Sequence, residues 1–284
     1  MKEALSWVNG QAGVQVDVSE RALQYGDGLF ETIRIHRSGP EFLERHIKRL
    51  TAGCERLKFP SMDWGLLRHE LQELAAQHDN AVLKLILSRR CAGRGYGPLS
   101  GQAVTRIASV QPLPAWPANP ARGGIRVRIC DARLAVQPLL AGIKHLNRLE
   151  QVLARDEWDD PACAEGLMLS SSDRLVEGTM SNVFMLANRV LITPDLSTCG
   201  VAGVMRSVIL DLAGSLGINT EIRPISLDDV KTAREVFVCN SLIGIWPVVS
   251  IDGFGSYDAG PITRRLQAAL AECDKAGGGN WYSL

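Results

Sequence analysis

Apolar residues recur along this chain with two spacings, and the spacing changes where glycines and prolines fall. Two-residue alternation or a short apolar run predicts strands over 4–8, 29–35, 81–88, 105–110, 125–130, 165–169, 190–193 and 235–239. Val14, Val16 and Val18 alternate with polar residues and predict a further half-buried strand. Asn9-Gly10 is a hairpin turn, because both residues tolerate the positive φ such turns need. Helical spacing takes over at Leu43, Ile47, Leu50, Cys54 and Leu57, which line one face of a helix over 40–57 that Pro40 would start. Asp63 caps a second helix running to about Ala76. Asn147 and Glu150 have the spacing of a capping box, ahead of a helix whose apolar face is Leu146, Leu149, Val152 and Leu153. Helices over 204–216 and 261–273 complete the set, and no internal repeat is visible.

Four prolines fall between Gln111 and Pro120, a density that neither a helix nor a central strand tolerates. This places a linker over 111–122, between a smaller N-terminal domain over 1–110 and a larger C-terminal domain over 123–284.

Composition narrows the partners. The formal net charge is zero and 22% of residues are charged, which argues against binding to nucleic acid or to an anionic membrane. Any positive charge that matters must be focused locally, on a small anion. The seven cysteines are scattered without a CxxC pair, so a disulfide framework or a zinc site is not expected and a reducing compartment is. The opening residues 1–5 do not read as a signal peptide, and the apolar run over 81–87 contains Lys84 and is too short to span a bilayer. The expectation is a cytoplasmic protein acting on a small molecule, with no metal.

Several residues carry candidate chemistry. Lys144 sits among glycine and apolar residues, and a partly desolvated lysine loses proton affinity, which frees its amine to attack a carbonyl. Gly26-Asp27-Gly28 is a tight turn into the strand that holds Phe30. Arg49 neighbours Leu50 at the edge of a helical apolar stripe, where an arginine either stays solvated or reaches inward; Arg45 and Lys48 read as solvated. The glycine-rich loop over 89–98 holds Arg89, Arg90 and Arg94, together with Tyr96. It is either an exposed connection or a carboxylate-binding loop, since guanidinium forks pair with carboxylates. Glu177 lies among small and apolar residues, where a buried carboxylate needs a proton or a cationic partner. Residues 200–206 form a glycine-containing helix entry whose free amides suit a phosphate.

These stretches together resemble the fold-type IV enzymes of pyridoxal 5'-phosphate, the group of branched-chain and D-amino-acid aminotransferases, along nearly the whole chain. The stretch over 142–152, with Lys144-His145-Leu146-Asn147-Arg148-Leu149-Glu150-Gln151, is similar to that of the 4-amino-4-deoxychorismate lyases within the group. The resemblance implies an α+β, two-domain architecture and pyridoxal 5'-phosphate as cofactor. It implies that Lys144 holds the cofactor as a Schiff base and later moves a proton. Arg49, in an H-x-x-R-L pattern, the amides of Val204 and Met205, and Ser241 would hold the phosphate. Glu177 would pair with the ring nitrogen, supported by Asn182. Phe30, in the GDG-x-[FY]-[ET] stretch, would border the pocket, with Arg94 and Tyr96 on the substrate side. The implied reaction releases 4-aminobenzoate and pyruvate from aminodeoxychorismate, in a homodimer. The alternatives on the same residues are a D-amino-acid or branched-chain aminotransferase and a catalytically silent cofactor-binding protein.

Overall fold

A computed structural model describes residues 6–13, 15–37, 39–90, 95–98 and 103–275. The chain divides into two compact units: Met1–Pro114 with Ile143–Asn147, and Ala115–Gly142 with Arg148–Leu284. The short stretch around Lys144 is therefore built into the first unit, although the sequence on either side of it belongs to the second.

The first unit contains β1 (Ser6–Val8), β2 (Gln11–Ala12), α1 (Arg21–Tyr25), β3 (Gly28–His36), β4 (Gly39–Pro40), α2 (Leu43–Arg56), α3 (Trp64–Ala76), β5 (Ala81–Arg89) and β6 (Val104–Pro112). Its six strands form one antiparallel sheet in the order β2-β1-β6-β5-β3-β4. Asn9 and Gly10 turn the first hairpin with positive φ at both positions, as expected. Along β3, Leu29, Glu31, Ile33 and Ile35 are buried. The stripe of α2, with Leu43, Ile47, Leu50 and Cys54, is buried too, and α2 packs on β3. Asp63 accepts a hydrogen bond from the Leu66 amide at the start of α3, as its sequence position predicts.

Two expectations fail in this unit. Val16 and Val18 form no strand; Val18 is 80% exposed, because Asp17 accepts from the amide and hydroxyl of Ser19 and turns the chain there. Val14 lies outside the described residues. Pro40 does not start a helix. It lies opposite Ile35 in the short edge strand β4, where its missing N–H costs nothing, and α2 begins only after Phe42 takes a positive φ.

The second unit contains α4 (Pro120–Gly123), β7 (Ile125–Leu134), α5 (Leu149–Arg155), β8 (Cys163–Ser170), β9 (Leu175–Gly178), β10 (Asn182–Ala187), β11 (Val190–Pro194), α6 (Val204–Ser215), β12 (Thr220–Arg223), α7 (Leu227–Lys231), β13 (Glu235–Asn240), β14 (Gly244–Ile251), β15 (Gly255–Ser256) and α8 (Pro261–Lys275). Nine strands make a mixed sheet in the order β12-β11-β10-β13-β14-β7-β8-β9, with β15 paired to β14. Its core includes Val127, Leu167, Val183, Ile192, Val238 and Val248. Helix α8 is tied down by Glu235 of β13, whose carboxylate accepts from the amides of Ile262 and Thr263 and from the Thr263 hydroxyl. A carboxylate there meets the positive end of the helix dipole. With helices on each sheet, the chain has the expected α+β class. Among the described residues no helix is long and apolar enough to cross a membrane.

The helix after Lys144 departs from its predicted form. Arg148, not Asn147, stands at the cap position of α5, with no side-chain cap. The Asn147 amide instead donates to the Gly26 carbonyl, and Glu150 accepts from the Ala135 amide. The predicted buried face is open: Leu149 is 76% and Leu153 65% exposed. Strand β7 also runs on to Leu134, past the predicted end at Cys130, and Pro120 opens α4 as its first residue.

A buried ionic network joins α2 to β3. Glu31 is fully buried. It accepts from Nε of Arg49 at 2.8 Å, from Arg49 Nη2, and from His46 Nδ1 at 2.6 Å. Burial alone would raise the Glu31 carboxyl, but Arg49 and His46 outweigh it and hold it down to about 2. Burial pushes His46 the other way for a base, below its usual value, with Glu31 opposing that shift. Both groups have folded-state values below their unfolded ones, so both give stability that is present at neutral pH and lost on acidification. Loss should begin as pH falls past the ordinary histidine range, from His46. It should continue from about 4.5 to about 2, as Glu31 is forced to protonate. Stability measured by urea unfolding across this range should show the second loss in the native chain and a much shallower one in Glu31→Gln. An unchanged acid limb in that variant would contradict the assignment.

Candidate functional site

The Lys144 segment is extended and hydrogen-bonded to the free edge of β3. The Phe30 amide donates to the Lys144 carbonyl at 2.9 Å, and the Leu146 amide donates to the Gly28 carbonyl at 3.0 Å. Along its other edge β3 pairs with β5, while β4 takes only the far end, at Ile35 and His36. This leaves Gly28–Phe30 open to receive residues 144–146. Gly28 must be a glycine here, since a Cβ would lie 2.5 Å from the Leu87 carbonyl oxygen and as close to Leu146. Paired this way, Lys144 places Nζ 4.2 Å from the centre of the Phe30 ring, over its face. An ammonium there gains cation–π attraction. Lys84, opposite Thr32 on β5, stands farther off, with Nζ 6.0 Å from the same ring.

Arg49 lies one helical turn after His46 and grips Glu31 with two nitrogens, so its guanidinium plane is fixed by a buried carboxylate. It is half-buried, whereas Arg45 and Lys48 are exposed, as the stripe of α2 predicts. His46 donates from Nδ1 to Glu31, which leaves Nε2 buried without a hydrogen-bond partner among the described residues. Asp27 is gripped by two arginines, Arg21 at 2.7 Å and Arg89 at 2.7 Å. The remaining nitrogens of Arg21 hold the carbonyls of Gly95 and Tyr96. The Tyr96 side chain is 83% exposed and meets Tyr25 edge-on at 5.4 Å. Arg94 lies outside the described residues.

In the second unit a four-residue stretch is held by Glu177 and Asn182 and leads into Val204 and Met205. Gly142, two residues before Lys144, exchanges backbone hydrogen bonds with Gly200 and Ala202. Val201 between them donates its amide to Glu177 Oε2 at 2.8 Å, and its carbonyl accepts from Asn182 Nδ2 at 2.8 Å. Asn182 Oδ1 then accepts from the Gly203 amide at 3.0 Å. Glu177 and Asn182 thus grip one strip of backbone from the two ends of a turn. Glu177 is buried and takes a second, longer bond from Gln151 Nε2 at 3.5 Å.

The strip ends in α6. Val204 and Met205 open this helix, both buried, and Gly203 before them provides no side-chain cap. Amides of a first helical turn have no acceptor within the helix, and a buried start without a cap calls for an outside acceptor. Ser241 sits in the turn after β13, where Asn240 Oδ1 accepts from the amides of Leu242 and Ile243 and Asn240 Nδ2 donates to the Met180 carbonyl. Sequence reasoning did not single out Gln151, Glu165 or the tie between Glu31 and Arg49. A carboxylate at each of positions 31 and 165 inside an apolar strand was the available signal, since such groups need donors when buried.

Chemically, the first unit offers an amine beside an aromatic face and a fixed guanidinium, and the second offers a buried carboxylate acceptor and an uncapped helix start. The sequence model of the amino-transferase class IV family matches residues 28–251. The chain is 36% identical to the aminodeoxychorismate lyase of Vibrio harveyi, over 93% of this chain and 98% of that protein. It is similar to the crystal structure of a 4-amino-4-deoxychorismate lyase from Pseudomonas aeruginosa, with TM-score 0.92 and 47% identity, covering 94% of this chain and 98% of that one. The fold also matches the PLP-bound form of a hypothetical aminotransferase from Mycobacterium tuberculosis, with TM-score 0.80 and 20% identity, covering 95% and 100% of the two chains. The chain belongs to the class IV aminotransferase family, whose members have the fold-type IV architecture of pyridoxal 5'-phosphate enzymes.

Proposed function

We propose that the protein is a pyridoxal 5'-phosphate-dependent lyase that converts 4-amino-4-deoxychorismate into 4-aminobenzoate and pyruvate. The observation that carries this reading is the similarity to two such lyases along more than nine-tenths of the chain. The residues present suit the cofactor. A buried helix start without a side-chain cap, at Val204 and Met205, offers amides to a phosphate, and the Ser241 hydroxyl and the Arg49 guanidinium would add donors. The buried Glu177 carboxylate offers an acceptor to a protonated ring nitrogen, with Asn182 keeping the backbone beside it in place. Lys144 carries the amine that would hold the cofactor's aldehyde carbon.

When bound, the cofactor supplies an electron sink for charge that develops on the carbon bearing the substrate's amine. The protein's own work is to place and move protons. Lys144 Nζ, released when the substrate's amine takes its place, would remove the proton from that ring carbon. Glu177 would keep the ring nitrogen protonated while it does so. Phe30 would wall the lysine, and Arg94 with Tyr96 would meet the substrate's carboxylates. The net change is loss of pyruvate and aromatisation of the ring. Leu149, Val152 and Leu153, exposed on one face of α5, support a homodimer in which a second copy covers them. Buried free cysteines at 54, 130, 163, 199 and 239 support a reducing compartment such as the cytoplasm.

Incubation of the cofactor-loaded protein with 4-amino-4-deoxychorismate should yield 4-aminobenzoate and pyruvate in equal amounts with no added keto acid. Product formation that requires a keto acid, and yields a new amino acid, would place the protein among the transaminases instead. Borohydride reduction followed by peptide mapping should put the cofactor on Lys144, and Lys144→Ala should lose both the label and nearly all turnover; a label on Lys84 or Lys231 would sink the assignment. Arg49→Lys keeps a cation against the buried Glu31 but removes the fork. It should weaken cofactor binding about 10- to 150-fold, the worth of one hydrogen bond to a charged group of about 1.5–3 kcal/mol. Excess cofactor should then restore much of the activity. Cofactor titrations of Arg45→Ala and Lys48→Ala should match the native chain, and a larger loss in either than in Arg49→Lys would require the phosphate site to be redrawn.

A further inference from the structure

Glu165 lies on β8 and is 2% exposed, yet the role proposed for the second unit makes no use of it. Both of its carboxylate oxygens are filled by neutral donors. Oε1 accepts from the Gly166 amide at 2.9 Å and from the Thr179 hydroxyl at 2.5 Å, with the Thr179 amide at 3.1 Å. Oε2 accepts from the Ser181 hydroxyl at 2.7 Å and, more weakly, from the Met180 amide at 3.4 Å. Apart from Gly166, every donor belongs to residues 179–181, the turn that joins β9 to β10. A carboxylate without a cationic partner is costly to bury, and burial accordingly raises the Glu165 carboxyl above its usual value. Hydroxyl and amide donors converging from one turn offset that cost only while the turn keeps its shape.

That turn separates Glu177 from Asn182. It is closed by a hydrogen bond from the Gly178 amide to the Ser181 carbonyl at 2.6 Å, and a Cβ at Gly178 would come within 2.9 Å of the Glu165 carboxyl carbon. Its far side is held by Asn240, whose side chain donates to the Met180 carbonyl and also organises the turn containing Ser241. Strand β9 is only four residues long, and Glu177 is its third. Glu177 is held opposite Met168 of β8 and Asn182 opposite Cys239 of β13, and the Thr179 amide donates to the Gly166 carbonyl at 2.9 Å; the turn between them sets how these two ladders meet, and so the spacing that must match the amide and carbonyl of Val201.

We infer that Glu165 is a positioning residue: its buried carboxylate moulds the turn over 178–181 so that Glu177 and Asn182 hold Val201 between them and Glu177 faces the cofactor's ring nitrogen. This rests on the ring-nitrogen role proposed for Glu177. Glu165 acts through the turn, whose hydroxyls and amides its carboxylate accepts from. Loosening the turn should therefore weaken the bond to the ring nitrogen and leave the phosphate end of the cofactor bound as before.

The test compares two probes on the full chain freed of cofactor: pyridoxal 5'-phosphate, and its 1-deaza analogue, in which C–H replaces the ring nitrogen. Dissociation constants come from quenching of tryptophan fluorescence. The native chain should prefer the nitrogen-containing ring, and Glu177→Gln should abolish the preference. Glu165→Gln should lower the preference about tenfold, the loss expected when one hydrogen bond to a charged group is misaligned, with little change for the deaza probe. Combined with Glu177→Gln it should add nothing further. The Thr179→Val, Ser181→Ala pair keeps the buried charge and its amide donors; it should lower the preference in the same sense, and it decides the matter if Glu165→Gln does not fold. If Glu177→Gln abolishes the preference while the turn variants weaken both probes equally or neither, Glu165 is a purely structural residue and the inference is overturned. If Glu177→Gln leaves the preference intact, the ring-nitrogen role of Glu177 fails, and the positioning role fails with it.

Discussion

A carboxylate taken out of water has to be met by donors, and in this protein the donors come from the segments that carry candidate residues or lie beside them. Glu31 draws in Arg49 and His46, Glu165 draws in the turn at 178–181, and Glu177 takes the Val201 amide. In each case the buried charge is on or beside a strand, and what it binds is a helix face, a turn or a loop that would otherwise have several conformations available. The cost of burial is the source of the precision: a mobile partner would leave the charge unsatisfied, so the partner is held.

Backbone pairing does the same for the lysine. Residues 144–146 occupy a strand edge at Gly28–Phe30, and Gly142 just before them pairs with Gly200 and Ala202. The bonds to Gly28 and Phe30 fix the backbone of residues 144–146 within the first unit. The Lys144 side chain is then placed over the Phe30 ring. Ordering a residue's backbone costs conformational entropy, and for residues 144–146 that cost is met when the chain folds.

The strip at 200–203 has a second consequence. Its backbone is shared between Gly142, Glu177 and Asn182, and it leads without interruption into the uncapped start of α6. A shift of Val201 would therefore move the carboxylate contact and the helix start together. The Asn240 bridge from the turn at 178–181 to the turn of Ser241 extends the same connection. Groups far apart in the sequence are in this way held to one another by main-chain atoms, which vary less in position than side chains.

Much of the architecture was legible in the sequence because it depends on local periodicity. The buried stripe of α2, the Asp63 cap, the Asn9-Gly10 turn and the long strands β3, β5 and β13 follow from spacing and turn chemistry alone. The candidate residues Lys144, Arg49 and Glu177 were visible through their motifs, and the contrast between half-buried Arg49 and exposed Arg45 and Lys48 follows from the helical period. What failed was whatever needed a partner from elsewhere in the chain. Val16 and Val18 alternate like a strand but find no edge to pair with. Asn147 and Glu150 have the spacing of a cap, but each side chain goes to a distant backbone group, at Gly26 and Ala135. The leucines of α5 have helical spacing, but spacing cannot say whether the chain itself covers them. Glu165 was read only as the beginning of a strand. Sequence determined the longer helices and many of the strands, and which residue types stood at the candidate positions, since those depend on near neighbours. Only the tertiary structure decided which side chains and turns meet each buried carboxylate and which strand edge receives the lysine, because those contacts join residues from 14 to more than a hundred positions apart.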